Sequence, residues 1–168
     1  MHTHYKIRAE KCDDAEQIHA VHLASFPTNG EAKLVDALRA TNCLPVSIVA
    51  CIEDKIIGHA AFSPVTAGDS TGIGLGPIAV IQSQRRLGIG ARLIEDGLSK
   101  CRELGYAWIV VLGDPKYYAR FGFRPASEFG LQDEFRGGSH FQAMELAKGQ
   151  LPIGSRLVKY SPEFMKLG

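Results

Sequence analysis

One parallel crossover in the middle of the chain most constrains its fold. The segment TGIGLGPIAVI, residues 71–81, has the composition of a strand that Gly76 and Pro77 interrupt. The amphipathic segment QRRLGIGARLIEDGL, residues 84–98, follows it, and then comes the apolar run WIVVLG, residues 108–113. This order predicts a strand, a helix and a buried parallel strand. Because a proline cannot donate to a sheet ladder, we expect the first strand to bulge or splay at Pro77.

Hairpins and helices are predicted around this crossover. Alternating, helical and β-branched patterns indicate a first strand, two helices, an antiparallel hairpin, a short helix and two late strands. The segments are YKIRAE (5–10), DDAEQIHAVHLASF (13–26), GEAKLVDALRAT (30–41), VSIVACIED with KIIGHAAFSPV (46–65), DPKYYARFGF (114–123), FQAMELA (141–147) and SRLVKY (155–160). A chain of 168 residues suits one core, so we expect a single α+β domain spanning residues 1–168.

Composition narrows the classes of function. The formal net charge of +1 gives no bulk field that would favour nucleic acid or an anionic membrane. The N-terminal segment MHTHYKIRAE has no apolar run, so no signal peptide is expected. The longest apolar stretches of the chain are about one strand long, so no membrane span is expected. The four cysteines lie far apart without a C-x-x-C pair. This indicates reduced thiols in a cytoplasmic protein, without disulfides or a metal site.

The loop between the central strand and its helix is suited to an anion. A helix N-terminus presents free N–H groups and about half a positive charge, which matches a phosphate. Gly88 and Gly90 let the backbone approach a ligand closely, and Arg85 and Arg86 add positive charge.

The loop alone does not choose among phosphate-bearing ligands. A nucleoside triphosphate loop is excluded because the chain contains no Gly-Lys pair. A dinucleotide-binding loop requires a third glycine where Leu93 stands, but Asp114 follows the next strand at a suitable distance for a ribose contact. That alternative therefore stays open, and so does a plain turn with surface arginines.

Three segments, taken together in their order along the chain, resemble the GNAT superfamily of acyl-CoA-dependent N-acetyltransferases. They are LGPIAV, QRRLGIGARLI and VLGDPKYYARFGFRPA, which together cover about Leu75 to Ala126. The last segment looks like a bacterial-type branch of uncharacterised members. The resemblance implies a mixed, mostly antiparallel sheet of about seven strands with a splayed fourth strand, flanked by helices. It also implies transfer of acetyl from acetyl-CoA, as co-substrate, to an amine by direct attack in a ternary complex.

The same resemblance assigns a coenzyme site. Ile78, Ala79 and Val80 would line the pantetheine arm, and a backbone N–H near Ile78 could polarise the thioester carbonyl. The pyrophosphate would be wrapped by the backbone of Arg85, Arg86, Leu87, Gly88, Ile89, Gly90 and Ala91.

Tyr118 is the implied donor to the leaving thiolate, since it lies four residues before Gly122 in a Tyr-x-x-x-Gly-Phe segment. A phenol has a pKa near 10 and a thiol near 8.5, so a hydrogen bond to the sulfur can be the larger part of its role. Tyr117 is the rival donor and is otherwise assigned to the coenzyme site. Neighbouring residues on a helix point about 100° apart, so only one of the two tyrosines can face the thiol.

The acceptor side is less specified. Glu31 opens the second helix in a loop that borders the acceptor cleft in this fold, and it could bind a cationic amine or act as a base. It could equally be an ordinary helix N-terminal charge. His19 and His22 are i, i+3 neighbours without a third metal ligand nearby, and His59 could reach either the cleft or the core.

Two rival functions remain at this stage. One is a GNAT-fold sensor that holds coenzyme A without turnover, and the other is a dinucleotide-binding domain. The acceptor amine, whether a small molecule or part of a protein, is not identified by the sequence. Homodimers are common in the family, and neither nucleic acid nor a membrane is an expected partner.

Overall fold

The computed structural model describes residues 4–166, which form four α-helices and a mixed, mostly antiparallel sheet of nine strands. In chain order the elements are β1 (Lys6–Ala9), α1 (Ala15–Ser25), α2 (Gly30–Ala40), β2 (Val46–Ile52), β3 (Lys55–Ala67), β4 (Ser70–Val80), α3 (Ile89–Glu103), β5 (Trp108–Leu112), α4 (Pro115–Tyr118), β6 (Arg124–Pro125), β7 (Leu131–Asp133), β8 (Phe141–Glu145) and β9 (Arg156–Lys159). The α+β fold class predicted from the sequence is therefore confirmed.

The chain divides into two compact units. The first contains the described residues up to Phe62, the segment Pro77–Gly97 and the residues from Pro162 onward. The second contains Ser63–Gly76 and Leu98–Ser161. Strands β3 and β4 and helix α3 each contribute residues to both units. That the whole chain is a single domain stays a prediction.

The first unit is built on the antiparallel strands β1, β2 and β3. Lys6 pairs with Cys51, and Val46 pairs with Phe62. Helices α1 and α2 pack on this sheet through a buried apolar cluster, as their helical periodicity predicts. The buried members of that cluster are Ile18, Val21, Val35, Val49, Cys51, Ile56, Ala61 and Ala79. Helix α3 packs closely on β3, because a Cβ atom at Gly97 would overlap the ring of Phe62.

The second unit contains the parallel pairing that the crossover predicts. Strand β4 pairs with β5 in parallel over Ile73–Leu75, and β5 pairs with β8 antiparallel. Strand β8 also pairs with β6, while β9 joins the end of β3 to β7. Trp108 is fully buried, and its ring lies directly against Gly72. The strands that the sequence did not predict are β6 and β7, which are two and three residues long.

The residue before α1 links the helix start to β1 instead of capping the helix. Asp14 occupies the N-cap position, but its carboxylate does not cap the helix. It instead accepts hydrogen bonds from Arg8 at 2.6 and 3.1 Å and from the Lys11 amide at 2.7 Å. The Arg8 guanidinium, more than any other group, lowers the pKa of Asp14. Asp14 thus ties the chain before α1 to β1.

The four cysteines carry free thiols in different environments. Cys12 is exposed, Cys43 is half-buried, and Cys51 and Cys101 are buried. Burial raises the pKa of the Cys101 thiol to about 12. Within residues 4–166, no helix combines the length and apolar character that crossing a bilayer requires.

Candidate active site

Strand β4 changes its surroundings at Gly76. Its pairing with β5 extends from Ile73 to Leu75, and the strand then continues to Val80. Gly76 has φ +145°, a backbone conformation that L side chains rarely adopt. A Cβ atom there would meet no neighbour within 4 Å, so the need for glycine is conformational rather than steric. This is the point at which the sequence predicts a bulge or a splay.

The stretch of β4 after Pro77 holds the three residues assigned to the pantetheine arm. Ala79 is buried in the apolar cluster, whereas Ile78 and Val80 are half-buried. On β3, a Cβ atom at Gly58 would lie 3.3 Å from the Ala79 carbonyl oxygen and 3.4 Å from a Val80 methyl group. The predicted coenzyme-lining stretch therefore runs close to the backbone of β3.

The glycine-rich loop is exposed and has two left-handed residues. A 3₁₀ turn over Gln82–Gln84 leads into residues 85–88, all of which are exposed. Gly88 has φ +82°, which glycine adopts without strain, and Arg86 has φ +64°. A left-handed conformation is unfavourable for arginine, so the surrounding turn must enforce this backbone shape.

Helix α3 begins directly after this loop, at Ile89. The Gly88 carbonyl accepts the Arg92 amide at 3.1 Å, which closes the first helical turn. The amides of Ile89, Gly90 and Ala91 precede that bond and have no acceptor within the helix. These three groups and the helix dipole form a positive end that suits an anionic ligand.

One hydrogen bond joins the loop to the strand. The Nε atom of Arg85 donates to the Val80 carbonyl oxygen at 2.8 Å. The residues assigned to the pantetheine arm and those assigned to the pyrophosphate therefore form one continuous, internally linked segment of the first unit. No acidic side chain forms an ion pair with Arg85 or Arg86 among the ion pairs of residues 4–166.

The tyrosine segment belongs to the second unit. Asp114 caps α4 by accepting the Lys116 amide at 3.0 Å, and Pro115 occupies the first turn. The carboxylate that could have suited a ribose contact thus has a structural partner. Helix α4 passes into a 3₁₀ turn that Gly122 ends at φ +102°.

The two tyrosines have different environments. Tyr118 is 7% exposed, and its ring lies against Gly113, Phe121 and Phe123. Burial, with a smaller contribution from Tyr117, raises the pKa of the Tyr118 phenol to about 12. Tyr118 is therefore a neutral hydroxyl at physiological pH. Tyr117 is half-buried, and the Arg120 guanidinium lies 4.4 Å above its ring centroid.

Glu31 lies in the first turn of α2, as predicted, and is half-buried. Its Oε2 atom is buried and, among the residues that the structure describes, has no hydrogen-bond partner. Asn29 and Gly30, which precede it, line a cavity of about 280 Å³. A buried carboxylate oxygen without a donor is a candidate to bind an N–H group.

The structure also pairs two histidines that the sequence could not connect. His22 of α1 and His59 of β3 are both fully buried, and their rings are hydrogen-bonded at 2.8 Å between Nε2 and Nδ1. They lie 37 residues apart in the chain, so no local spacing indicates the contact.

The part of the chain that the structure describes contains no group of three or more His, Cys, Asp or Glu that could hold a metal ion.

Comparisons with known proteins identify the family of this chain. The family model described as "Acetyltransferase (GNAT) family" matches residues 14–123. The uncharacterised N-acetyltransferase YhbS of Escherichia coli is 39% identical over 162 residues, covering 94% of this chain and 97% of that protein. The E. coli protein YjhQ, also an uncharacterised N-acetyltransferase, is 32% identical over 130 residues and covers 74% of this chain and 72% of that protein.

Two solved structures are similar over nearly the whole chain. The crystal structure of E. coli YhbS in complex with CoA has a TM-score of 0.91 at 36% identity and covers 100% of this chain and 96% of that chain. A GNAT family acetyltransferase from Brucella melitensis in complex with acetyl-CoA has a TM-score of 0.80 at 36% identity and covers 97% and 99%. With the family model spanning residues 14–123 and relatives matched over most of their length, this chain belongs to the GNAT acetyltransferase family.

Proposed function

We propose that this acyltransferase binds acetyl-CoA and transfers its acetyl group to an amine by direct attack in a ternary complex. The observation that carries the proposal is the exposed loop of residues 85–88 at the N-terminus of α3, which is left-handed at Arg86 and Gly88 and hydrogen-bonded to β4. It combines amide donors and two arginines at one helix end. The CoA and acetyl-CoA complexes of the two similar proteins support this choice of ligand.

The pyrophosphate of the coenzyme binds at the start of α3. The amides of Ile89, Gly90 and Ala91 donate to its oxygens, and the helix dipole favours its negative charge. Arg85 and Arg86 add charge-assisted hydrogen bonds from their guanidinium groups. The positive φ angles at Arg86 and Gly88 shape the backbone of the loop around the phosphates.

The pantetheine arm binds along β4 after Pro77, beside Ile78, Ala79 and Val80. The pairing between β4 and β5 ends at Leu75, so the arm can pair with the backbone of this stretch as an added strand would. The Ile78 N–H polarises the thioester carbonyl and stabilises the oxyanion that forms on attack.

Tyr118 donates a hydrogen bond to the departing thiolate of coenzyme A. Its raised pKa of about 12 keeps the hydroxyl protonated and makes full proton transfer to a thiolate unfavourable. The hydroxyl therefore stabilises the developing negative charge on sulfur by hydrogen bonding. Tyr117, stacked under Arg120, contributes to coenzyme binding instead.

Glu31 recognises the acceptor. Its buried, unpartnered Oε2 atom can accept a hydrogen bond from an amine N–H or pair with a cationic substituent of the substrate. The acceptor is thus a small-molecule or protein amine.

Because acetyl transfer between two bound substrates needs no covalent enzyme intermediate, positioning supplies most of the rate enhancement. A cytoplasmic location and a homodimer stay predictions from the sequence.

The proposal is tested by ligand binding and turnover. Acetyl-CoA should raise the melting temperature, because a ligand at about 100 times its Kd stabilises the native state by about 2.7 kcal/mol. Nicotinamide dinucleotides should leave it unchanged. A panel of amines should then reveal an acceptor that releases free thiol from acetyl-CoA.

Each rival predicts a different result. A thermal response to dinucleotides and none to acetyl-CoA would contradict the proposed ligand. Binding of acetyl-CoA without thiol release from any amine in a broad panel would favour a sensor over an enzyme.

A further inference from the structure

A chain of hydrogen bonds runs from the edge of the first unit into its core. Glu10 forms an ion pair with Arg39 at 2.8 Å and accepts the Ser47 hydroxyl at 2.8 Å. Ser47 Oγ lies 2.8 Å from Nε2 of His59, whose Nδ1 lies 2.8 Å from Nε2 of His22. Four polar side chains, from the residue after β1 and from β2, β3 and α1, are thereby linked in series.

The directions of these bonds follow from counting hydrogens. The single Ser47 hydrogen goes to Glu10, so Ser47 can only accept from His59, and Nε2 of His59 must carry a hydrogen. Burial, the largest cause, lowers the pKa of His59 well below its usual value, so the ring is neutral. With its one hydrogen on Nε2, the ring carries no hydrogen on Nδ1. His22 Nε2 therefore donates to His59.

The series ends on a basic nitrogen. With its hydrogen on Nε2, neutral His22 has an unprotonated Nδ1, and this atom is buried without a hydrogen-bond partner among the described residues. The ring of Phe26 stacks on the His22 imidazole with centroids 5.9 Å apart. Phe26 is half-buried and begins the exposed connection between α1 and α2. A buried acceptor without a donor is costly for folding, so this atom is a candidate to bind a hydrogen that a substrate supplies.

The surroundings of this nitrogen and the stretch of β4 assigned to the coenzyme share one apolar cluster. His59 lies on β3 beside Gly58, where a Cβ atom would lie 3.3 Å from the Ala79 carbonyl oxygen, and the Ile81 amide donates to the Ile57 carbonyl of β3 at 2.9 Å. Phe26 and Ile81 pack against one apolar cluster, to which Ala79 belongs. All these residues are in the first unit.

We infer that Nδ1 of His22 accepts the proton that the acceptor amine loses during acetyl transfer, with His59, Ser47 and Glu10 as positioning residues. The inference rests on the proposed function. The amine nitrogen forms a bond to the acetyl carbon, the carbon–sulfur bond breaks, and the nitrogen's proton moves to Nδ1. The thiolate leaves with the bonding electron pair, and His22 returns its proton to solvent or to the thiolate. Because His22 is fully buried, the amine reaches Nδ1 only when the surrounding side chains move.

The rest of the series holds the His22 ring in the tautomer whose Nδ1 can accept a proton. His59 accepts from His22, and the chain continues through Ser47 to the carboxylate of Glu10, which follows the logic of a base oriented by a third group. The other charged groups near the pair are Arg39 and Asp36 on α2 and His19 on α1. Burial, the largest cause, lowers the pKa of His22 to about 4, so the ring is in its accepting form at neutral pH.

The test compares three variants in the full-length protein. His22→Gln keeps an N–H donor for His59 but removes the basic nitrogen, and Ser47→Ala interrupts the series while keeping both histidines. His19→Gln is the matched control, because it lies one turn earlier on α1 and pairs with Asp36 instead. The measurements are the Kd for acetyl-CoA, the melting temperature, and kcat against pH with an acceptor from the amine panel.

We expect His22→Gln to lower kcat about 10²-fold near neutral pH, with the Kd for acetyl-CoA unchanged within about twofold. The deficit should shrink as pH rises, because hydroxide and the free amine then replace the missing base. Ser47→Ala should lose roughly tenfold with the same trend, and His19→Gln should resemble the wild type. A loss of packing would not produce a deficit that diminishes at high pH.

Full activity of His22→Gln with intact acetyl-CoA binding would overturn the inference and leave the proposed function standing. If His22→Gln fails to fold, an unchanged kcat profile of Ser47→Ala would overturn it equally. A wild-type protein that binds no acetyl-CoA would instead overturn the proposed function.

Discussion

The Nε atom of Arg85 donates a 2.8 Å hydrogen bond to the carbonyl oxygen of Val80, which fixes the first residue of the exposed loop to the end of β4. Arg86, the next residue, has a left-handed backbone. The two arginines are therefore constrained in different ways. A side-chain hydrogen bond holds Arg85, and the left-handed backbone sets the direction in which the Arg86 side chain leaves the loop. Both guanidinium groups remain at the exposed N-terminal end of α3.

The double variant Arg85→Ala/Arg86→Ala should weaken coenzyme A binding roughly 10- to 100-fold, since hydrogen bonds to charged groups contribute about 1.5–3 kcal/mol each and exposure reduces this. Binding of pantetheine fragments that lack the nucleotide phosphates should change little. Isothermal titration with both ligands measures the difference. The matched control is Lys100→Ala/Arg102→Ala, which removes two exposed charges from the last turn of the same helix. Equal losses for the two ligands would assign the arginines a structural role.

Tyr118→Phe should lower kcat and kcat/KM together by roughly 10- to 100-fold, the amount expected for a hydrogen bond to a developing charge. The ring and its packing against Gly113 are retained, so the melting temperature should be nearly unchanged. Steady-state kinetics with an acceptor from the panel measures the effect. Tyr117→Phe is the control and should keep kcat. If only Tyr117→Phe loses activity, the donor is the neighbouring residue.

Gly97→Ala should destabilise the fold, although alanine normally favours a helix by about 1 kcal/mol over glycine. The added methyl group would overlap the buried Phe62 ring, and overpacking costs about 1–3 kcal/mol. Denaturant unfolding measures the change, and Ser99→Ala on the exposed side of α3 is the control. Combining Gly97→Ala with Phe62→Leu should recover part of the loss. Additive losses would contradict this packing argument.

The buried histidine pair should make stability depend on acid. Burial lowers the pKa of His22 from 6.5 to about 4, with smaller effects from Asp36, His19 and Arg39. As the pH falls, this histidine binds a proton in the unfolded chain before it does so in the folded chain. The free energy of unfolding is therefore highest above pH 6.5 and decreases as the pH falls toward 4. For His22 alone the loss is about 3 kcal/mol, and His59 adds to it in the same direction.

Denaturant unfolding between pH 4 and 7 measures this slope. His22→Gln should reduce it, whereas His140→Gln, at an exposed position, should leave it unchanged. Asp14, which is paired with Arg8, contributes in a lower pH range. Because its pKa is lowered in the folded protein, its contribution to stability is lost only as the pH falls below its usual pKa of 3.8. A wild-type slope that His22→Gln does not alter would contradict the neutral state of the buried pair.

Local patterns predicted much of this fold. The crossover with its central helix and the antiparallel hairpin were both predicted correctly, because each combines a run of apolar residues with clear turn residues. Strands β6 and β7 are too short to produce a periodic pattern, and tertiary pairing with β8 and β9 defines them. Arg86 shows a further limit, since a left-handed arginine has no signal in composition.

The candidate site was predictable where it is local and unpredictable where it is not. The glycine loop and Tyr118 belong to short segments with recognisable spacing. The His22–His59 contact and its continuation to Ser47 and Glu10 join four segments that are distant in sequence, so only the fold reveals them.

The exposed thiol of Cys12 has a practical consequence for measuring turnover. A chromogenic disulfide that reports released coenzyme A will also react with the protein, first at Cys12 and later at the half-buried Cys43. Cys51 and Cys101 are buried and should not react with the disulfide while the protein is folded. Replacing Cys12 with serine would remove the fast background. The wild-type thiol, in turn, offers a selective attachment point for a fluorophore beside the start of α1.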